Sequence, residues 1–278
     1  MVLEELYSVD FIKKKPYFAF LLGISYSIIG MGAAIFLFPD DPALVAVAIA
    51  AMLMLPLLRR LVSSEEGKLG FFKLIKQNSA ALKIYALLFL GSFVTFAFFS
   101  MMLPKMAANF LFQNQFNLYF GSITGKAFSS GMFFELFNNN LRVLMFSFIF
   151  SLIMGGGAIF IIIWNASLWG TIFGMLAKTA AFSMGGNQWF MFGTILLIVF
   201  PHMILEVFSY IVSAVSGSVA SSTILNKEFM SKEFKESFYN AVVLLLVAAV
   251  ILIIAMAVET YVLQSIGFYR QIISTAFA

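Results

Sequence analysis

From Trp189 to Ser222 the sequence runs for 34 residues with one charged side chain, Glu206. As a straight helix that stretch would be about 50 Å long, well beyond the roughly 30 Å hydrocarbon core of a bilayer. It is the longest of several such runs. Tyr17 to Phe38, Ala43 to Leu58, Leu82 to Leu103, Leu141 to Ile163, Ala166 to Phe182 and Tyr239 to Val262 are also apolar. A spanning helix needs about 20 mostly apolar residues. The chain is 62% hydrophobic and 11% charged, with mean hydropathy +0.99. A soluble domain is closer to half apolar and a quarter charged, and cannot hide this much apolar surface. The expected fold is therefore all-α: a polytopic helical membrane protein with about seven transmembrane segments.

Punctuation divides the runs. Pro16 after Lys13-Lys14-Lys15 suits a helix start, and the first run is too long for a signal-peptide core, so it reads as an uncleaved span. Pro39-Asp40-Asp41-Pro42 is a tight turn that closes a hairpin of spans 17–38 and 43–58. This hairpin and a basic loop make up residues 1–81, and a helical core occupies 82–278. Pro104 to Asn140 is the longest connection. Phe128, Met132, Phe133, Leu136 and Phe137 fall there at helical spacing, which suggests a helix in the interface plane or capping the bundle, against the alternative of a packed loop. Ala166 to Phe182 is short, either a thin span or a re-entrant segment. Pro201 lies inside 189–222 and predicts a kinked or broken helix, since proline removes a backbone donor and clashes with the preceding turn.

Twelve of the 17 basic residues fall on one side if the N-terminus is inside: Lys13, Lys14, Lys15, Arg59, Arg60, Lys68, Lys73, Lys76, Lys83, Lys227, Lys232 and Lys235. Lys105, Lys126, Arg142 and Arg270 fall on the other, and Lys178 is unassigned. The positive-inside rule then places the chain in the cell membrane with a cytoplasmic N-terminus and, after seven crossings, an extracytoplasmic C-terminus. The net charge of +4 is accounted for by these loops and does not call for nucleic acid.

Few groups are available for chemistry. There is no cysteine, which removes disulfides and thiolate metal sites, and His202 is the only histidine. No cofactor, metal site or catalytic residue is expected, and the protein is read as a non-enzyme. His202 and Glu206 lie one helical turn apart and share a face, which Ser209 and Ser213 continue. An ionisable pair in an apolar run is costly and marks a bundle interior or a water-filled cavity. Three roles stay open for it: a structural pair serving backbone freed by Pro201, a proton or ion relay, and a catalytic or metal role. Two ligands are too few for zinc.

Small residues recur at helical spacing. Ser147, Ser151 and Gly155 form one stripe, Gly170 and Gly174 a second, and Ser209, Ser213, Gly217 and Ser221 a third. Such stripes let membrane helices pack closely. Asn140 closes an Asn138-Asn139-Asn140 run that suits a helix cap. Asn165, after Trp164, suits a helix end. Glu259 lies at a depth where it can pair with Arg142 or Arg270.

Taken in order, Asn138-Asn139-Asn140 before a glycine-rich span, Trp164-Asn165 before Gly170 and Gly174, and Pro201-His202-Met203-Ile204-Leu205-Glu206 before Gly217 resemble the stage II sporulation protein M family. These are multi-pass membrane proteins of bacteria and archaea. The family pattern is an NN segment, a Gly-rich span, an N-G-x-x-x-G-like turn and a P-H-G-x-x-E helix. Met203 and Ala166 stand here where the family usually has glycine. The resemblance covers about Leu82 to Val262, so the first hairpin looks like an N-terminal addition. One family member anchors peptidoglycan hydrolases at a septal membrane, so the resemblance implies a scaffold. The leading expectation is a non-enzymatic scaffold or membrane-organising component with protein partners or self-association. Its partner surfaces would be 104–140, 59–83 and 226–237. The alternative is a transporter or channel that uses His202 and Glu206.

Overall fold

The computed structural model describes residues 9–40, 42–59, 61, 71–123, 132–265 and 267. These form eleven helices: α1 (Val9–Lys14), α2 (Tyr17–Leu37), α3 (Pro42–Arg59), α4 (Phe71–Gln77), α5 (Ser79–Met102), α6 (Lys105–Leu111), α7 (Gln113–Ile123), α8 (Met132–Met154), α9 (Ile159–Met184), α10 (Gln188–Asn226) and α11 (Lys232–Ser265). Seven of them, α2, α3, α5, α8, α9, α10 and α11, are long and apolar enough to cross a membrane. No strand occurs among the described residues.

Helix α10 is the hub. It packs against α11, α8, α9 and α5, while α9 also lies along α5. The α2–α3 hairpin joins the far side of α5. Glycine and serine set that contact. Gly23 stands so close to α5 that a Cβ there would come 2.6 Å from the Leu88 carbonyl oxygen. The Ser27 hydroxyl donates to Ser92 at 2.9 Å beside it. The stripe of Ala19, Gly23, Ser27, Gly30 and Ala34 is buried, whereas Phe36 and Leu37 at the end of α2 are exposed. Backbone approach, rather than interlocking large side chains, holds these helices together, as expected where lipid competes for apolar surface.

Three sequence boundaries move. The fourth span is not 141–163, because α8 starts at Met132 and stops at Met154. The break is at Gly155-Gly156-Gly157: Gly155 has φ +68°, and a glycine run costs a helix the most backbone entropy. The residues read as a thin or re-entrant segment at 166–182 accordingly belong to a full helix of 26 residues, α9. Helix α10 is also unbroken at Pro201. Pro201 faces outward, as does Leu197 one turn earlier, so the lost hydrogen bond falls on the outer side and the packed side keeps its ladder. At 39 residues the helix is about 58 Å long and overshoots the bilayer core.

Of the connection expected at 104–140, Met132, Phe133, Leu136 and Phe137 belong to the spanning helix α8 rather than to an interface helix, and the part before it holds two short helices. Helix α7 packs on α9 and α3 and sends the fully buried Gln115 into the bundle, where its Nε2 donates to Ser167 at 3.3 Å. Phe128 and Lys126 lie outside the described residues. Lys178, unassigned by charge counting, donates from Nζ to the Leu103 carbonyl at 2.5 Å and so caps the C-terminus of α5. The Gly185-Gly186-Asn187 turn forms as its residues suggest. Gly185 ends α9 in the left-handed region, and the Asn187 side chain accepts from the Trp189 and Phe190 amides.

The Gly155 turn yields a prediction. The nearest heavy atom to a Cβ there would be 3.9 Å away on Arg59, so space is not limiting, and the backbone angle alone resists a side chain. Gly155→Ala should cost about 1–2 kcal/mol, and Gly155→Asn less. Thermal melting in detergent measures both.

Candidate functional site: a polar cavity between four helices

Midway along α10, polar residues from four helices meet. His202 and Glu206 come from α10, Asn140 from α8, Asn165 from α9 and Glu259 from α11, and all five line a partly open cavity of about 610 Å³. Much of the remaining lining is aromatic, including Trp164, Trp169, Phe160 and Phe173. Among the described residues no lysine or arginine contributes to it.

Hydrogen bonds organise one wall. Tyr210, one turn after Glu206, is buried, and its Oη lies 2.7 Å from Glu206 Oε1 and 2.6 Å from Asn140 Oδ1. Asn140 Nδ2 is already committed, donating to the Leu136 carbonyl at 3.0 Å and lying 3.0 Å from Met256 Sδ. Its Oδ1 is therefore the end that accepts. A phenol has one proton for two acceptors. The chain Glu206–Tyr210–Asn140 is complete only when the Glu206 carboxyl carries a proton and donates it to Tyr210, which donates onward to Asn140. This fixes α10 against α8 through a group that can load and release a proton.

The opposite features are open valences. His202 is buried with no partner for Nδ1, and Glu259 Oε2 is buried with none either. A buried polar atom without a partner costs about 1–3 kcal/mol, and both of these residues border the same cavity.

The expected pairings change accordingly. His202 and Glu206 share the cavity, but Glu206 bonds to Tyr210 while His202 Nδ1 is unpartnered. Glu259 faces the cavity and not Arg142, which is exposed; Arg270 lies outside the described residues. Asn140 and Asn165 are not caps. Both sit inside helices and donate back one turn, Asn165 to the Ile161 carbonyl at 2.8 Å, which leaves them free to line the cavity. Tyr210 escaped the sequence reading, although its spacing four residues after Glu206 was a usable signal. Among the described residues no three of His, Cys, Asp and Glu converge closely enough to hold a metal ion.

The small residues fall around this cavity as packing surfaces. A Cβ at Gly170 would lie 2.5 Å from the Phe93 oxygen, one at Gly174 2.7 Å from the Ala97 oxygen, and one at Gly217 would collide with the Phe148 oxygen. Ser147 and Ser151 are fully buried, and Ser151 Oγ accepts from the Ala158 amide at 3.3 Å. Ser213 donates across to the Leu144 carbonyl at 2.8 Å, and Ser209 to the Glu206 carbonyl at 2.7 Å. Gly155 alone leaves the set: it makes the α8–α9 turn, and only the Arg59 side chain comes within 4 Å of where its Cβ would be.

The sequence model of a family described as Stage II sporulation protein M matches residues 85–263, nearly two thirds of the chain and the whole of the cavity's polar wall. No curated protein and no solved structure gives a significant match.

Proposed function

The chain belongs to the stage II sporulation protein M family of multi-pass membrane proteins, and within that family we propose that it is a transporter whose solute path runs through the cavity at Glu206. The observation that carries this reading is the pair of unpartnered polar atoms, His202 Nδ1 and Glu259 Oε2, beside a protonatable Glu206 in a cavity lined by spanning helices. Intramembrane ionisable groups of this kind recur along ion and substrate pathways. The sequence ranked this role second. The arrival of Glu259 and Tyr210 at the same place raises it to first. Ser209 and Ser213, which continue the face of His202 and Glu206, donate to backbone carbonyls. The charge bias supports a cytoplasmic N-terminus and an extracytoplasmic C-terminus.

Proteoliposomes loaded with a pH-sensitive dye test the proposal. The wild-type protein should move protons when a potential is imposed, and Glu206→Gln, which keeps the side-chain shape, should lower that flux by about tenfold or more, as removal of an intramembrane proton carrier predicts. Flux unaltered by the substitution refutes the assignment.

A different observation favours the scaffold reading. The turn between α10 and α11 exposes Leu225, Phe229 and Met230 among lysines and glutamates, an apolar tip with a charged rim such as protein interfaces use. Affinity purification from native membranes should then recover a stoichiometric partner or a self-assembly. A monodisperse, partner-free particle counts against it.

A further inference from the structure

The chemistry of the cavity narrows what it takes. Two carboxylates, Glu206 and Glu259, border it, and among the described residues no lysine or arginine does. A carboxylate buried away from water must be protonated, paired or bound to a cation. The titratable side chains facing Glu206 are His202 and Tyr210 on α10 itself and Glu259 on α11. Helices α8 and α9 present amides, Asn140 and Asn165, and helices α3 and α7 present leucines. Among the described residues no neighbouring element therefore supplies a fixed positive charge. The ionisable groups do not converge on one point to form a metal site, and the cavity is about 610 Å³, far larger than a bare ion. Aromatic rings, which attract cations through their faces, make up much of its wall.

We propose that the cavity binds an organic ammonium ion, held between the aromatic wall at Trp164 and Trp169 and the carboxylates of Glu206 and Glu259, and that protons compete with it for those carboxylates. This rests on the transport reading above and gives that reading a substrate class. When the cation enters, Glu206 releases its proton and Tyr210 turns to donate to the carboxylate. When the cation leaves, the proton returns and the Glu206–Tyr210–Asn140 chain closes again. Cation and proton thereby compete for the Glu206 carboxylate, and the cavity is never left with two bare carboxylates. The unpartnered Glu259 Oε2 is the acceptor left for an ammonium N–H or, for a quaternary head, the charge that faces it.

Intrinsic fluorescence reads this directly, because two of the three tryptophans line the cavity. The full chain with Trp189→Phe, in a maltoside detergent that lacks ammonium groups, is titrated with tetraethylammonium and with ethanolammonium chloride. Saturable quenching is expected, absent with sodium chloride at equal ionic strength. The apparent Kd should weaken by about tenfold or more from about pH 9 to about pH 5, as protons occupy the carboxylates. Glu206→Gln and Glu259→Gln should each weaken binding by about tenfold and flatten the pH dependence; melting curves confirm that each is folded, and the isosteric Glu259→Gln stands as the second variant if one is not. Displacement of the bound probe by vesicles containing phosphatidylethanolamine, but not by phosphatidylglycerol vesicles, would identify a lipid headgroup as the source of the ammonium. Displacement by neither vesicle leaves a free soluble amine as the source. A cavity that binds neutral 3,3-dimethylbutanol as well as it binds the ammonium probes, or binds the probes equally at both pH values, overturns the cation assignment while leaving transport standing. Quenching by no ammonium probe overturns it too, and if proton flux is also absent the transport reading falls with it.

Discussion

Gly217→Leu should prevent the bundle from closing. A side chain at this position of α10 would meet the Phe148 carbonyl oxygen of α8, the Ser151 Cβ at 2.9 Å and the Leu152 amide at 3.1 Å. Two of these are backbone atoms, so no rotamer change relieves them and the two helices must move apart. Separation would also break the Ser213 hydrogen bond to Leu144 and the Tyr210 hydrogen bond to Asn140, both of which join the same pair of helices. Overpacking a core costs roughly 1–3 kcal/mol when side chains can adjust. Here they cannot, and the loss should exceed that range, giving protein that does not survive extraction as a single species. Gly193 on the same helix is the control: a Cβ there would have nothing within 4 Å. Gly193→Ala removes backbone freedom and should stabilise the helix by up to about 1 kcal/mol. Size-exclusion profiles and detergent melting separate the two, and equal behaviour would sink the close-packing argument.

How far the sequence speaks depends on the kind of force involved. The seven spans follow from hydropathy because the bilayer imposes a length and forbids free backbone groups. The close contacts at Gly170, Gly174 and Gly217 follow from small-residue spacing because lipid leaves steric fit as the main source of association. Helix ends were harder. Asn140 and Asn165 have the chemistry of caps, yet inside an apolar helix the same side chain donates to the carbonyl one turn back, and only the tertiary fold decides between these uses. Gly155 fell into a packing stripe by spacing, whereas its neighbours Gly156 and Gly157 made a turn the cheaper outcome. The site was half visible. His202 and Glu206 stand out as ionisable residues in an apolar run, but Glu259 is 53 residues away on another helix and no local pattern ties it to them.

Within that site, Tyr210→Phe should be among the most damaging isosteric changes in the chain. It removes one hydroxyl and orphans two buried groups, the carboxyl proton of Glu206 and the acceptor Asn140 Oδ1, each worth about 1–3 kcal/mol when left unpaired. The expected loss is about 2–4 kcal/mol, read as a drop in detergent melting temperature. If the bonds act as one chain, adding Asn140→Leu to Tyr210→Phe should recover part of this loss, because it deletes one orphaned acceptor. Summed single effects larger than the double mutant would measure the coupling. Glu206→Gln should be far milder for stability, since its amide still donates to Tyr210, and should act on proton flux instead. His202→Phe makes the sharpest contrast. His202 Nδ1 has no partner to lose, so replacing it with an apolar ring should leave the melting temperature nearly unchanged or raise it. Two buried polar residues about two helical turns apart on α10 should thus behave oppositely. A fall with His202→Phe as large as that with Tyr210→Phe would mean that the histidine, and not the tyrosine, holds α10 in place.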